Sequence, residues 1–471
     1  MIQTLPSKKI KIYLFIFFIF IISRVIIYNY FGIRPDQNQL EYGWHLIKPF
    51  FLKNYFLESI KYLHFQPPLW NFFVGILFQI FEKQETINQI LHMFNILLTS
   101  LTIFFCLKIF QIFFIKYIST IFLSLLIIFN PGIIFYENLP ASYIPFTTLL
   151  LIVIFYYSLI YFKNNKIIYE IYIYSSLVIL SYIWSMFNYL LIIIFYILIL
   201  FNKLTLGKKI RFSNYIFLFF LLMSIIPSIK NYILFNKFSN GDNGIGWQIA
   251  MTTSSIKNDF YLHHYCSPGN SVKIYNEKFY KIKKIDESNL SITLLPNEDF
   301  FNFNQLGRII QSEECLNKSI EYIRNNFNLY LKSRINEFFI SHGQLAIDML
   351  FITGNSKSFD KIKDFLEKIR QQNTKKKIKQ FVLISYFILI YLYFILYIFN
   401  LMLIKKIDFA FIFIFFIYIY MILCSLIFAN YEGSRFIQAG FIIQIIFWIH
   451  LTKLFYKIKN KKNAYSYTYK R

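Results

Sequence analysis

Side chains able to move a proton or grip an anion are scarce within the long apolar runs of this chain, and the loop behind the first of those runs concentrates several of them. Asp36 follows Arg34-Pro35 directly after the first apolar run. Glu41 lies five residues further on, and Tyr42, Trp44 and His45 complete the loop that begins RPDQNQLEYGWH. A carboxylate held at a membrane face beside apolar walls loses part of its hydration. That makes it a better acceptor of a proton from a sugar or protein hydroxyl. The same residues also fit an ordinary solvated loop. In His64-Phe65-Gln66-Pro67-Pro68-Leu69-Trp70 the spacing says more. Two prolines fix φ and remove two N–H donors where a helix begins, so His64 and Gln66 are pinned at the interface. There they can bind the phosphate of a membrane lipid, although the prolines alone also suit a plain helix start.

The elements that must position these groups are helices that water would not tolerate. Of the 471 residues, 57% are hydrophobic and only 15% charged, with 59 Phe and 37 Tyr. A soluble chain carries about 45–50% apolar and about 25% charged residues. The apolar residues run continuously rather than at period 2 or 3.6, as in LFIFFIFIIS and FAFIFIFFIYIYMILCSLIFA, which marks a multi-pass, all-α membrane protein. At about 20 residues per span, segments fall near 11–30, 88–107, 117–130, 142–162, 167–184, 189–202, 213–229, 380–403, 408–429 and 435–453. A further run at 67–81 is short. No small-residue cleavage site follows the first run, so it is expected to stay as a span.

Basic clusters decide how the short run is used. They lie at Lys8/Lys9/Lys11, Lys108/Lys116, Lys163/Lys166, Lys203/Lys208/Lys209/Arg211, Lys405/Lys406 and in the tail 453–471. If residues 67–81 stay at the interface, all six clusters share one face, the cytoplasmic one. Ten crossings follow, with both termini cytoplasmic, in a bacterial inner membrane or the endoplasmic reticulum. Residues 1–230 then form a catalytic membrane module with outer loops 31–66 and 131–141. Residues 231–379 form a soluble outer region of mixed helix and loop, long enough for a small domain. Residues 380–471 form the last helices and a basic tail. The net charge of +25, 49 basic against 24 acidic residues, needs no nucleic acid, because the lysines punctuate apolar runs; AT-rich coding would inflate it too.

With the acidic loop behind the first span and the H-x-Q-P-P-L segment, the chain resembles the GT-C glycosyltransferases. Its nearest branch is similar to glycosyltransferase family 39, which includes protein O-mannosyltransferases and lipid A aminoarabinose transferases. FYENLPASYIPFTTLLLI resembles that family's second outer loop, with Glu137 as its acidic residue. IPSIKNYILFNKFSNGDNGIGWQIA resembles a W-x-x-K-N segment after the seventh span, and NYEGSRFIQAGFIIQII resembles a late E-x-R segment followed by Tyr or Phe. Departures exist: the usual Asp-Glu pair is Asp36-Gln37, Pro227 and Ser228 stand near the expected Trp, and Asn236 replaces a Gly. The resemblance implies an inverting transferase that moves a sugar from a polyprenyl- or dolichyl-phosphate donor to a hydroxyl of a glycan, lipid or protein acceptor. Asp36, or failing it Glu41, is the base by resemblance. Arg435, Lys230 and His64 are its candidates for holding the leaving phosphate; Lys230 and Arg435 can instead simply snorkel to the interface. Glu137 can position a divalent cation or the acceptor, or serve as a cap in its loop. No other cofactor is expected.

Other residues say less. The adjacent His263 and His264 lack a third nearby ligand, and read as surface. Cys266 and Cys315 share the outer region and can bridge or stay free, whereas Cys106 and Cys424 fall within spans as small apolar filler. A polymerase or ligase of lipid-linked glycans shares this layout, but normally relies on Arg and His in its large loop. A transporter or flippase would place charges at mid-membrane and show related halves; here the ionisable residues cluster at the ends of spans, with Arg24 the exception, and the halves look unlike. Tags at both termini and in the 203–211 loop should resist a membrane-impermeant label, whereas cysteines introduced within 240–370 should react. An externally labelled terminus would overturn the topology.

Overall fold

The computed structural model describes residues 7–33, 35, 39–42, 46–113, 115–241, 308–336 and 409–428, with helical positions 246, 248–250, 252–253, 266, 440, 442–447 and 449–450. Asp36, His263, His264 and Arg435, with the segment 380–403 and the tail 453–471, lie outside the described residues. Among the described residues the fold is all-helical, without strands. Its helices are α1 (Ser7–Asn29), α2 (Gln39–Tyr42), α3 (Pro49–Asn54), α4 (Phe56–Tyr62), α5 (Pro68–Ile80), α6 (Gln84–Ile112) and α7 (Tyr117–Ile128). They continue as α8 (Pro131–Glu137), α9 (Ile144–Asn164), α10 (Ile167–Ile183), α11 (Tyr189–Thr205), α12 (Arg211–Phe235), α13 (Arg308–Asn325) and α14 (Phe409–Phe428).

Four helices (α1 from Ile10, α6, α9 and α12) are long and apolar enough to cross a membrane, and α5, α7, α10, α11 and the apolar part of α14 are shorter. Leu14, Phe18 and Ile21 of α1 and Leu218, Leu222 and Ile233 of α12 are exposed. Apolar surface on this scale suits hydrocarbon rather than water, which is consistent with a membrane-embedded protein. Inside the bundle, Phe155, Phe195, Phe411 and Phe413 are fully buried and form one continuous core with Ile152, Ile192 and Ile417.

Polar contacts gather at the two ends of the bundle and give the helices their relative directions. At one end Arg24 meets Glu137, Trp70 Nε1 donates to the Ala141 carbonyl (2.7 Å), and Asn240 Nδ2 donates to that of Ser181 (2.6 Å). At the other end Lys108 lies over the Tyr13 ring, and Asn202 Nδ2 donates to Asn165 Oδ1 (2.7 Å). There, too, Lys203 and Ser213 converge on the buried Glu170 carboxylate. The short α5 lies wholly at the Arg24 end. Its Asn71 accepts from Ile47 N–H (2.7 Å), its Gln79 donates to the Leu52 carbonyl (2.8 Å), and the chain then reaches Gln84, which donates to Glu41 Oε1 (3.1 Å).

Pro227 lies inside α12. A proline has no N–H, so the carbonyl four residues earlier, that of Met223, loses its helical partner. In hydrocarbon an orphaned carbonyl is costly. The Tyr182 hydroxyl of α10 donates to this Met223 carbonyl at 2.7 Å. Backbone geometry is also tight at Gly241, where φ is +101° and a Cβ would stand 2.7 Å from the Gln66 carbonyl carbon. We expect Gly241→Ala to cost about 1–3 kcal/mol and to lower the melting temperature in detergent. Gly207, also at positive φ but with open space where a Cβ would stand, is the control. Equal shifts for Gly241→Ala and Gly207→Ala would show that the approach to Gln66 is not tight.

Candidate functional site

The segment between α4 and α5 is extended: Leu63 has φ −61° and ψ 119°, and Pro67 has φ −61° and ψ 154°. Its carbonyls are therefore not consumed by a helix, and the Lys230 ammonium of α12 donates to that of Leu63. An ammonium has three donors, so this bond leaves two for other acceptors. Lys230 and Lys61 border a groove of about 380 Å³ lined by Ile226, Ile229, Ile233 and Leu234. An apolar trench with two ammonium groups on its border matches an amphiphile with an anionic head: the trench takes hydrocarbon, and the cations take charge.

His64 is fully buried beside this groove rather than on its lining. Its ring stands edge-on to Phe235 at 5.4 Å, and its Nδ1 lies 3.1 Å from the Tyr62 carbonyl. A carbonyl can only accept, so Nδ1 carries the proton. Phe65 packs against Ala250 and against Cys266 and Cys315, which form a disulfide with 6.0 Å between their Cα atoms. The open question of Cys266 and Cys315 thus resolves to a bridge, against which Phe65 of the proline segment packs. Cys106 and Cys424 are buried thiols outside any bridge.

Glu137 ends α8 with its side chain fully buried. Arg24 holds both of its carboxylate oxygens, Nε to Oε2 at 2.8 Å and Nη2 to Oε1 at 2.5 Å. Arg24 Nη1 also donates to the carbonyl of Ile128 at 2.8 Å, and the Glu137 carbonyl lies 2.9 Å from Nδ1 of His92. The carboxylate is therefore committed to an internal ion pair that closes α1, α7 and α8 together. Among the described residues no group of three or more His, Cys, Asp or Glu side chains could hold a metal ion. Glu41 carries structural bonds as well: its Oε1 accepts from Gln84 and its carbonyl from the Lys48 ammonium.

Of the residues picked out from the sequence, His64 and Lys230 meet at Leu63. Glu41 and Glu137 belong to separate clusters, bonded to Gln84 and His92 of one helix, about 12 Å apart along its axis. Asp36 and Arg435 are outside the described residues. No known protein family, curated protein or solved structure matches the chain. Any activity must therefore be argued from these residues.

Lys61 and the pairing of Arg24 with Glu137 were not read from the sequence. Lys61 carries no signal that distinguishes it from other interfacial lysines. The Arg24–Glu137 pair had one: a lone cation inside an apolar span and a lone acid in an outer loop. Removing one partner of a buried pair costs about 3–5 kcal/mol, because the other charge is left uncompensated. Arg24→Met should thus melt far below wild type in detergent, whereas Arg24→Met with Glu137→Met should recover much of the loss. Additive losses in the double variant would show that the pair is not coupled.

Proposed function

We propose that the chain is a multi-pass membrane enzyme of ten spans with cytoplasmic termini, an inverting glycosyltransferase that uses a lipid-phosphate-linked sugar. The observation that carries this reading is the apolar groove bordered by Lys61 and Lys230. It suits a polyprenyl-type chain with its phosphate at the interface, and the family resemblance of the outer motifs agrees with it. The Cys266–Cys315 bridge supports an oxidising, extracytoplasmic face for the same region.

In the proposed reaction Asp36 takes the proton of the acceptor hydroxyl. The hydroxyl oxygen attacks the anomeric carbon from the side opposite the phosphate, the carbon–oxygen bond to phosphate breaks, and the lipid phosphate leaves with the bonding electrons. Lys230, Lys61 and Arg435 stabilise the charge that develops on it. Glu41 is the weaker candidate for the base, since it already secures α2 to Gln84.

Purified protein in detergent, offered radiolabelled polyprenyl-phosphate sugars one at a time, tests the reading. Wild type should turn over one of them. Asp36→Asn should lower turnover by about 10²–10⁴-fold and Glu41→Gln by less. Lys230→Met should weaken donor use by roughly ten- to a hundredfold, the value of about 1.5–3 kcal/mol for a charge-assisted bond. Turnover that survives both carboxylate changes would sink the mechanism.

A further inference from the structure

The turns at the end of the bundle opposite Arg24 and Glu137 carry positive charge that the chain does not balance. Glu170 is the only Asp or Glu between residues 138 and 241. It is fully buried, and its Oε2 is held by Lys203 of α11 (3.4 Å) and by the Ser213 hydroxyl of α12 (2.9 Å). The one acid is thus spent inside the bundle. Lys163 and Lys166 beside the α9–α10 turn, and Lys208, Lys209 and Arg211 beside the α11–α12 turn, are all exposed. None of these cations makes an ion pair among the described residues.

Both turns are fixed from within. Asn165 closes α9 at φ 52°, and its Oδ1 accepts from Asn202 Nδ2 of α11 at 2.7 Å, which brings the two turns together. Helix α11 stops at Gly207, where φ is 62°. There the Lys208 N–H donates to the Lys203 carbonyl (2.9 Å) and the Gly207 N–H to that of Leu204 (3.1 Å), the paired bonds of a left-handed helix stop. Lys208 and Lys209 therefore leave α11 in a set direction, and the Glu170 cluster holds the start of α12 beside it. Interleaved with the cations along the chain, Phe201, Leu204, Leu206, Phe212 and Tyr215 are exposed. A soluble anion would answer the charge and leave these apolar side chains unmet. A zwitterionic lipid would cover them and leave the charge.

We propose that the paired turns form a recognition surface for anionic phospholipid of the surrounding bilayer. Its headgroups rest on Lys163, Lys166, Lys208, Lys209 and Arg211, and its acyl chains lie against the exposed apolar side chains next to them. Clustered cations at a membrane face gain from each anionic headgroup nearby, within a screening length of the surface. The proposal stands apart from the transferase reading, because the Lys61–Lys230 groove borders the other end of α12.

Full-length protein in a non-ionic detergent would be titrated with dioctanoyl phosphatidylglycerol, dioctanoyl phosphatidylcholine or glycerol 1-phosphate. Native mass spectrometry reads binding, and the melting temperature reads its effect on stability. Phosphatidylglycerol should bind saturably and raise the melting temperature, and the other two should do neither. Raising salt from about 0.1 M to about 1 M, which cuts the screening length from about 10 Å to about 3 Å, should weaken that binding. Lys208→Gln with Lys209→Gln and Arg211→Gln should weaken it by roughly ten- to a hundredfold, and Lys163→Gln with Lys166→Gln by less. Lys53→Gln with Arg324→Gln and Lys332→Gln removes the same charge from exposed positions elsewhere and should bind as wild type does. Only exposed side chains change, so without lipid every variant should melt as wild type does. No saturable binding, equal binding of phosphatidylcholine, or equal losses in the two triple variants would overturn the surface. Displacement of phosphatidylglycerol by an equal concentration of glycerol 1-phosphate would overturn a lipid as the occupant.

Discussion

A guanidinium inside an apolar helix must meet a carboxylate, and in this protein the partner lies 113 residues away. Arg24 and Glu137 satisfy each other through two parallel bonds, the geometry in which arginine holds a carboxylate most firmly. The remaining donors of Arg24 then reach the Ile128 carbonyl and the Ser23 hydroxyl. Through this one side chain, α1 is closed against the ends of α7 and α8. Through the Glu137 carbonyl, His92 brings in α6. The loop that follows is held in turn by Asn95, which donates to Leu139, and by Trp70, which donates to Ala141. Each segment near the proline motif, at this end of the bundle, is thus referenced to a charge pair that lipid would not accept unpaired.

Helix α12 carries the two features with most chemical meaning. Ser224, Pro227, Ser228 and Asn231 recur at helical spacing on its buried side, and Ile226, Ile229 and Ile233 on the side that faces out. The first set turns small and polar groups toward the interior. The second is apolar, with Lys230 beside it. One helix therefore presents an apolar groove on one side and small polar groups on the other. The chain needs no second layer to keep the two environments apart.

The all-helical, apolar character of the chain was legible because it rests on local composition. Long runs such as 11–30 and 142–162 have the length and apolarity of spans, and helices α1 and α9 match them to within one or two residues at Asn29 and Ile144. The shortness of 67–81 was equally plain, and α5 is a helix of 13 residues. What could not be read depends on distance in the folded chain. Cys266 and Cys315 were seen as a possible pair, but only their 6.0 Å Cα separation makes them one. Glu137 looked available for a metal or an acceptor until Arg24 was found on both its oxygens.

The bond from Tyr182 to the Met223 carbonyl has a consequence for how this chain can change over time. The carbonyl needs an outside donor only because Pro227 has none to give. A lineage that lost the Tyr182 hydroxyl first would bury an unmet carbonyl in hydrocarbon; one that lost Pro227 first would regain an ordinary helical bond and leave the hydroxyl idle. The path is therefore directional. Among descendants of this sequence, Phe at 182 should follow replacement of the proline at 227 and seldom precede it.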